Sequence, residues 1–252
     1  MGYTCGETEE TTVCSISGQI GSKGVDRAAS QKGGEEISRE KETSVEGCKR
    51  YTSGRYNGMW RHNAGTDADK RRRWREYISR YHTIGYKQAY GAQLKYFITS
   101  DGVDLGCLQF SAAAWALQKR DEWIGWSVED RKARLNLVLN NSRYLVLPWV
   151  HIRNLSSRAL SAAARRICED WLNAYCYAPV LLETFVDTTF YRGTSYLSAN
   201  WVYLGETQGR GRMDRHHEHG LSQKAIFMYP LRKDFRAVLQ GRKPCKMVNP
   251  DE

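Results

Sequence analysis

The chain has 252 residues and a formal net charge of +10, with 38 lysine and arginine residues against 28 aspartate and glutamate residues. No window approaches the ~20 apolar residues that a membrane-spanning helix needs, so we expect no membrane partner. The basic balance instead favours a polyanion, and we expect nucleic acid, with DNA favoured.

The seven cysteines are irregularly spaced, and none form a CxxC pair. The first residues lack the apolar stretch of a secretory signal. We therefore expect reduced thiols and a cytoplasmic location rather than a disulfide framework.

Residues 1–69 are rich in Gly, Ser, Thr, Glu and Lys and contain no run that could build a core. Such a segment cannot bury enough apolar surface to offset the entropy of ordering, so we predict a disordered polar tail. The basic quartet at 70–73 either contacts phosphates or opens a solvated helix. We place one folded domain at residues 70–245.

Short stretches of sequence predict the first helices and strands of this domain. The apolar spacing predicts a helix over 74–81. Residues 91–100 alternate as a strand does, and Asp101-Gly102 is a turn signal before a second strand, so the pattern predicts an antiparallel hairpin. Ser127 and Asp130 have the spacing of a capping box at the start of another helix.

The central unit reads as a buried strand over 140–150, a helix over 154–175 and a second buried strand over 180–186. Two strands joined through a helix imply a parallel, right-handed crossover. Pro148 lies inside the first strand pattern and predicts a bulge or a splayed edge there.

The remaining pattern completes the architecture. It predicts a short helix over 193–199, strands over 201–206 and 224–231, and a closing helix or coil after residue 232. The fold class is therefore α/β, an α+β arrangement with one mixed sheet, in which hairpin strands come first and a βαβ unit later.

Two carboxylates of the second buried strand are candidate catalytic residues. Glu183 has apolar neighbours, and a carboxylate buried there must be paired or reactive, so it is either a general base or half of an ion pair with an arginine. Asp187 ends the same strand, where open α/β sheets bind ligands, but it could equally cap the following turn.

Basic and aromatic residues after this strand are candidates for nucleic-acid binding. Arg192 and Thr194 flank a glycine and could bind a phosphate, although an ordinary turn with a threonine cap fits the same residues. Arg210 and Arg212 lie on a glycine frame. With Trp201 as a stacking platform, they favour a nucleic-acid groove over a solvated loop.

Histidines give weaker signals. His216, His217 and His219 lie in one short segment without the convergent ligands and second shell of a metal centre, so we expect no metal site. His82 follows the first helix and is either a satisfied cap or a site residue.

Motifs in a fixed order resemble the DruA-like family: FSAAAW, IGW, NNSRYLVLPWV, ETFVD, GTSYLSANW, GETQGRGR and YPLRKDFR. The resemblance covers roughly residues 74–239. It implies a role in the Druantia anti-phage system or beside a transposase, with helicase or transposase partners. The polar tail replaces the helical N-terminal segment of the family.

The central unit also resembles the GNAT acyltransferase fold. This resemblance implies a GNAT-like single domain, acyl-CoA held at the helix start by Asn154, Ser156 and Ser157, and Tyr196 as the acid that protonates the leaving thiolate. The loop before the helix reads HIRNLSS and lacks the family's glycines, so the cofactor stays unknown, with acyl-CoA as one candidate.

We therefore expect a protein that acts on or binds nucleic acid through a transferase core, with Glu183 as base and Tyr196 as acid. The alternative is a module without chemistry of its own that recruits DNA for a helicase or transposase. A nuclease is a weaker third option, because paired carboxylates at metal spacing are missing.

Overall fold

The computed structural model describes residues 68–87, 91–208 and 222–248, and these residues build one sheet flanked by helices. A single 3-10 turn, Leu135–Leu137, precedes the third strand. In chain order the elements are α1 Ala68–Tyr81, β1 Gln93–Ser100, β2 Val103–Ala112, α2 Gln118–Ile124, α3 Val128–Arg134, β3 Val138–Val146, α4 Leu155–Tyr175, β4 Leu181–Asp187, α5 Thr194–Leu197, β5 Val202–Glu206, β6 Lys224–Pro230 and α6 Phe235–Leu239.

The sheet has the strand order β1-β2-β3-β4-β6-β5. Its β3–β4 pair is parallel, as the α4 crossover predicts, and the other four pairs are antiparallel. This confirms the α/β class with one mixed sheet.

The predicted hairpin joins β1 to β2. Asp101 and Gly102 have φ angles of 50° and 81°, the left-handed pair that a tight two-residue hairpin turn requires. The capping box is also present, because Ser127 Oγ accepts from the Asp130 amide and an Asp130 oxygen accepts from the Ser127 amide.

Helices cover both faces of the sheet. On β1, Tyr96 donates to Asp170 of α4 at 3.0 Å, while its neighbour Lys95 lies over the ring of Trp74 in α1. Because consecutive strand residues point to opposite faces, α4 and α1 lie on opposite sides. On β4, Glu183 likewise contacts α2 while Thr184 contacts α5.

The parallel pair is short, and this opens the sheet. Only Val138–Asn140 and Leu181–Glu183 are paired, after which β3 and β4 separate. Just past this point the register of β3 against β2 shifts, so that Ser142 is an extra residue between the partners of Phe110 and Gln109. The bulge therefore lies at Ser142 and not at Pro148. Pro148 lies in the turn after β3, since a residue without an N–H cannot extend the ladder.

Helix α1 begins at Ala68, six residues before the predicted start, and so includes the basic quartet at 70–73. The other residues of the predicted tail lie outside the described part of the chain. In that described part, no helix combines the length and apolar character needed to cross a bilayer.

Candidate functional site

A cleft of about 330 Å³ lies where β3 and β4 separate. This volume is at the lower end of the roughly 300–1,000 Å³ typical of small-molecule sites. Both strands, the segment after α1 and the segment from the end of β4 into α5 form its walls. Its polar side chains are His82, Thr83, Asn141, Ser142, Arg143, Thr184, Asp187, Tyr191, Arg192, Thr194, Ser195, Tyr196 and Lys224.

Asn141 fixes the bulge from which the cleft opens. Its Nδ2 donates to the carbonyl oxygens of Gln109 and Arg143, at 3.1 and 3.2 Å, on the two strands beside the bulge. Its Oδ1 accepts from the Tyr196 hydroxyl at 2.8 Å. Because the amide nitrogen is fully used as a donor, Oδ1 must be the acceptor, and the Tyr196 proton points at Asn141.

Thr184 closes the other side of this network. Its Oγ1 donates to the backbone oxygen of Asn141 at 2.9 Å, at the first position of β3 that no longer pairs with β4. A side chain thus supplies the bond that the strand ladder would have made, and the two strands can diverge without leaving that carbonyl unsatisfied.

Aromatic packing holds Tyr196 in place. Its ring stacks on Phe227 at 5.5 Å and meets Trp201 edge-on at 5.0 Å. Gly193 begins α5 with φ 69°, and a Cβ there would lie 2.4 Å from the Phe227 ring. Only glycine therefore lets the chain approach β6 so closely at this turn.

Trp201 belongs to this core. Its side chain is 3% exposed, between Tyr196 and Tyr229. This burial contradicts the prediction that Trp201 stacks on a nucleobase, because its ring faces are covered by the protein. Sequence pattern alone does not distinguish a buried tryptophan from an exposed one.

Glu183 lies on the other face of β4, outside the cleft. It is fully buried, accepts from the guanidinium of Arg120 at 2.9 Å and accepts from the Ala114 amide at 2.7 Å. Burial raises the pKa of Glu183, while Arg120 and the amide oppose that rise. The ion-pair alternative is thus the one present, and Glu183 and Tyr196 do not meet in one site.

Asp187 does line the cleft. Its oxygens accept from the Thr189 amide at 3.0 Å and from the Ser222 hydroxyl at 2.6 Å. Burial acts to raise the pKa of Asp187, but the bonds from Ser222 and Thr189 outweigh it and hold the pKa below its usual value. Asp187 therefore caps the turn and also contributes a stable negative charge to the cleft.

Positive charge outweighs that carboxylate. Arg192 and Thr194 are exposed at the cleft, and Lys224 and Arg143 are half-buried in its walls. No carboxylate of the described residues pairs with Arg192, Lys224 or Arg143 within 4 Å. The cleft therefore attracts anions.

The predicted cofactor residues lie at the start of α4. Asn154 has φ 60° and makes no side-chain bond to the helix end, while Ser157 Oγ donates to the Asn154 carbonyl at 3.2 Å. Neither these two nor Ser156 lines the cleft.

The remaining candidates lie outside the described residues: Arg210, Arg212, His216, His217 and His219. Within the described ranges, no three His, Cys, Asp or Glu side chains are grouped as a metal site requires. The sequence did not single out Asn141, Thr184 or Arg143. Their only signal is their position in two strands that diverge, which one sequence does not reveal.

Comparison with known proteins gives one family match. The model of the DruA family, described as Druantia protein DruA, matches residues 63–218. No curated protein matches the chain. Strands β1 to β5 lie within the matched range, whereas β6 and α6 follow it.

The fold also resembles those of solved structures, among them an acetyltransferase and a synthase. An N-acetyltransferase from Staphylococcus aureus Mu50 has 15% identity and a TM-score of 0.42, over 70% of this chain and 99% of its own. The CoA-dependent acyl-homoserine lactone synthase BjaI, solved with SAM and isopentyl-CoA, has 14% identity and a TM-score of 0.31, over 69% of this chain and 74% of its own. Similarity at this level establishes neither an activity nor a cofactor for this chain.

The buried ion pair gives a stability prediction. Glu183→Gln removes the buried partner of Arg120 and leaves only Asp121, at 2.9 Å, to balance the guanidinium charge, which should lower the free energy of unfolding by about 1.5–3 kcal/mol. Urea denaturation measures this. The control is Glu76→Gln in the exposed Arg80–Glu76 pair, where we expect a loss below about 1 kcal/mol. Unchanged stability of Glu183→Gln would contradict the structural role.

The Tyr196 hydroxyl gives a second stability prediction. Tyr196→Phe leaves Asn141 Oδ1 without its donor, which should destabilise the protein by about 1–3 kcal/mol. Tyr203→Phe is the matched control, because Tyr203 is half exposed on β5 and the exchange should change stability by less than about 0.5 kcal/mol. Equal unfolding midpoints for the two variants would show that the Tyr196–Asn141 bond does not hold the bulge.

Proposed function

This chain belongs to the DruA family, and on that premise we propose that it serves anti-phage defence by binding nucleic acid, with DNA favoured. The observation that supports this most is the surplus of positive charge at the cleft. No carboxylate of the described residues lies within 4 Å of Arg192 or Lys224, and Asp187, the cross-strand neighbour of Lys224, is already engaged by Ser222 and Thr189. Phosphates are the anions that a nucleic acid would present there.

The described residues on either side of the stretch with Arg210 and Arg212 lie near this cleft. The Thr207 amide donates to the Lys224 carbonyl at 2.8 Å, and the Ser222 hydroxyl donates to Asp187 at 2.6 Å. Contact of Arg210 and Arg212 with DNA remains a prediction. It fits the position of these flanking residues, and Thr194 would add a hydroxyl donor at the same edge.

The proposed partners rest on the family resemblance, and the proposed location rests on the cysteines. In the alternative without chemistry, the protein recruits DNA for a helicase or a transposase. We propose that it does so in the cytoplasm, where thiols stay reduced; the four described cysteines, Cys107, Cys168, Cys176 and Cys245, are free.

The test of nucleic-acid binding is its salt dependence. Fluorescence anisotropy with single-stranded DNA should give a binding constant whose logarithm falls linearly with the logarithm of the salt concentration. Arg192→Gln with Lys224→Gln should lower the steepness of that slope by up to about 1.4, because each lost phosphate contact removes roughly 0.7 on a single strand.

The control is Arg158→Gln with Arg165→Gln on the exposed side of α4, which makes the same change in net charge away from the cleft. Its slope should equal that of the wild type. If both double variants weaken DNA binding equally, only the net charge of the protein matters for binding, and the cleft is not the binding site. No binding by the wild type at low salt would end the proposal.

A group transferase is the second candidate, favoured by the separation of β3 and β4 and by the helix that follows the bulged strand. A CoA thioester would place its pyrophosphate at Asn154, Ser156 and Ser157, and Tyr196 would give its proton to the departing thiolate. That proton now points at Asn141, so substrate binding would have to redirect it. Glu183 cannot be the base from its buried position, so the acceptor's proton would need another route.

Binding of acetyl-CoA, measured by isothermal titration, tests this candidate. Ser156→Glu adds a negative charge at the helix start and should abolish the binding, since it repels the pyrophosphate. Ser161→Glu, one turn and a half further along α4, is the matched control and should bind as the wild type does. Absence of any heat of binding for the wild type would remove acyl-CoA from consideration.

A further inference from the structure

His82 presents a fixed hydrogen-bond donor to the cleft. The residue follows α1, and its Nδ1 accepts from the Ile84 amide at 3.1 Å. A neutral imidazole whose Nδ1 accepts must carry its proton on Nε2. His82 lines the cleft, and no described residue accepts from this Nε2–H.

The imidazole stays neutral near pH 7. Burial and the neighbouring Arg143 cation lower the pKa of His82 to about 4. His82 is therefore a donor without charge over the whole neutral range, and it is not a general acid or base there.

Arg143 supplies a charge beside it. Arg143 is in register with Gln109 of β2, which places its side chain on the α1 face, where His82 lies. It is half-buried and donates to the Ser142 carbonyl at 2.7 Å, and no carboxylate of the described residues lies within ion-pair distance. A cation held out of water without a counter-ion is costly, and an anionic ligand would relieve that cost.

A third polar group lies in the same wall. Ser142 Oγ is buried in the bulge and has no hydrogen-bond partner among the described residues. Three donors of different kinds thus occur together: a neutral N–H, a guanidinium and a hydroxyl. A group with several negatively charged oxygens matches this set.

We propose that His82 and Arg143 bind the terminal phosphate of a nucleic-acid strand or of a free nucleotide on the α1 side of the cleft. This rests on the proposed nucleic-acid binding. The cleft is too small for a duplex, so a strand end or a single nucleotide is what it admits. A phosphate monoester presents three terminal oxygens, enough for these donors, whereas an internal phosphodiester presents two.

The test compares a short single-stranded DNA with a 5′-phosphate and the same strand with a 5′-hydroxyl, by competition anisotropy. The wild type should prefer the 5′-phosphate by about tenfold or more, as hydrogen bonds to a charged group allow. His82→Asn should reduce this ratio to within about twofold, because its short amide can still accept from the Ile84 amide but does not reach the ligand.

His82→Gln is the matched rescue, since its longer amide restores a donor near the position of Nε2 and should recover most of the preference. Arg143→Gln should lose it. Urea denaturation of each variant separates this effect from instability. If His82→Gln and His82→Asn reduce the ratio equally with unchanged stability, the Nε2–H does not bind the ligand and the inference fails.

The remaining outcomes separate the two proposals. Equal binding of both strands by the wild type overturns the terminal-phosphate site and leaves nucleic-acid binding in place. If neither strand binds, the proposal of nucleic-acid binding fails. Nitrogen-15 NMR of His82 with adenosine monophosphate then tests whether a free nucleotide binds at this site. A shift of the Nε2 signal that Arg143→Gln abolishes supports a free-nucleotide site, and no shift overturns it.

Discussion

The side-chain amide of Asn141 is the interaction on which the cleft depends. It donates to carbonyl groups on both sides of the β3 bulge and accepts a hydrogen bond from the Tyr196 hydroxyl. Without these bonds, the bulge would leave polar backbone groups unpaired beside a buried core, at a cost of about 1–3 kcal/mol for each. The departure of β3 from β4 is therefore a stabilised feature of the sheet.

Successive side chains of strand β4 point to opposite faces of the sheet, and the two faces have different roles. Glu183 points to one face, where its pairing with Arg120 ties α2 to the sheet. Thr184 points to the other, where it bonds to Asn141 and borders the cleft. Adjacent residues thus serve different layers, and a carboxylate that looks reactive in the sequence proves to hold two layers together.

Features coded by neighbouring residues were predictable. The Asp101-Gly102 turn, the Ser127 cap and the parallel crossover through α4 were all predicted from local pattern, and all are present. Pro148 predicted a bulge or a splayed edge at its own position, whereas the bulge lies at Ser142, because a bulge depends on register with β2, more than thirty residues away. Burial of Trp201 and the pairing of Glu183 also depend on distant partners, Tyr229 and Arg120.

The position of β6 has a consequence for how the chain can be divided. In the described part of the chain, β5 pairs with β6 alone, and β6 also covers the edge of β4. The family match ends at residue 218, before this strand begins. A fragment cut at that boundary would expose the ladder groups of β4 and leave β5 unpaired, and open edges of this kind lead to aggregation. The segment that matches the family is thus shorter than the segment needed to pair every strand of the sheet.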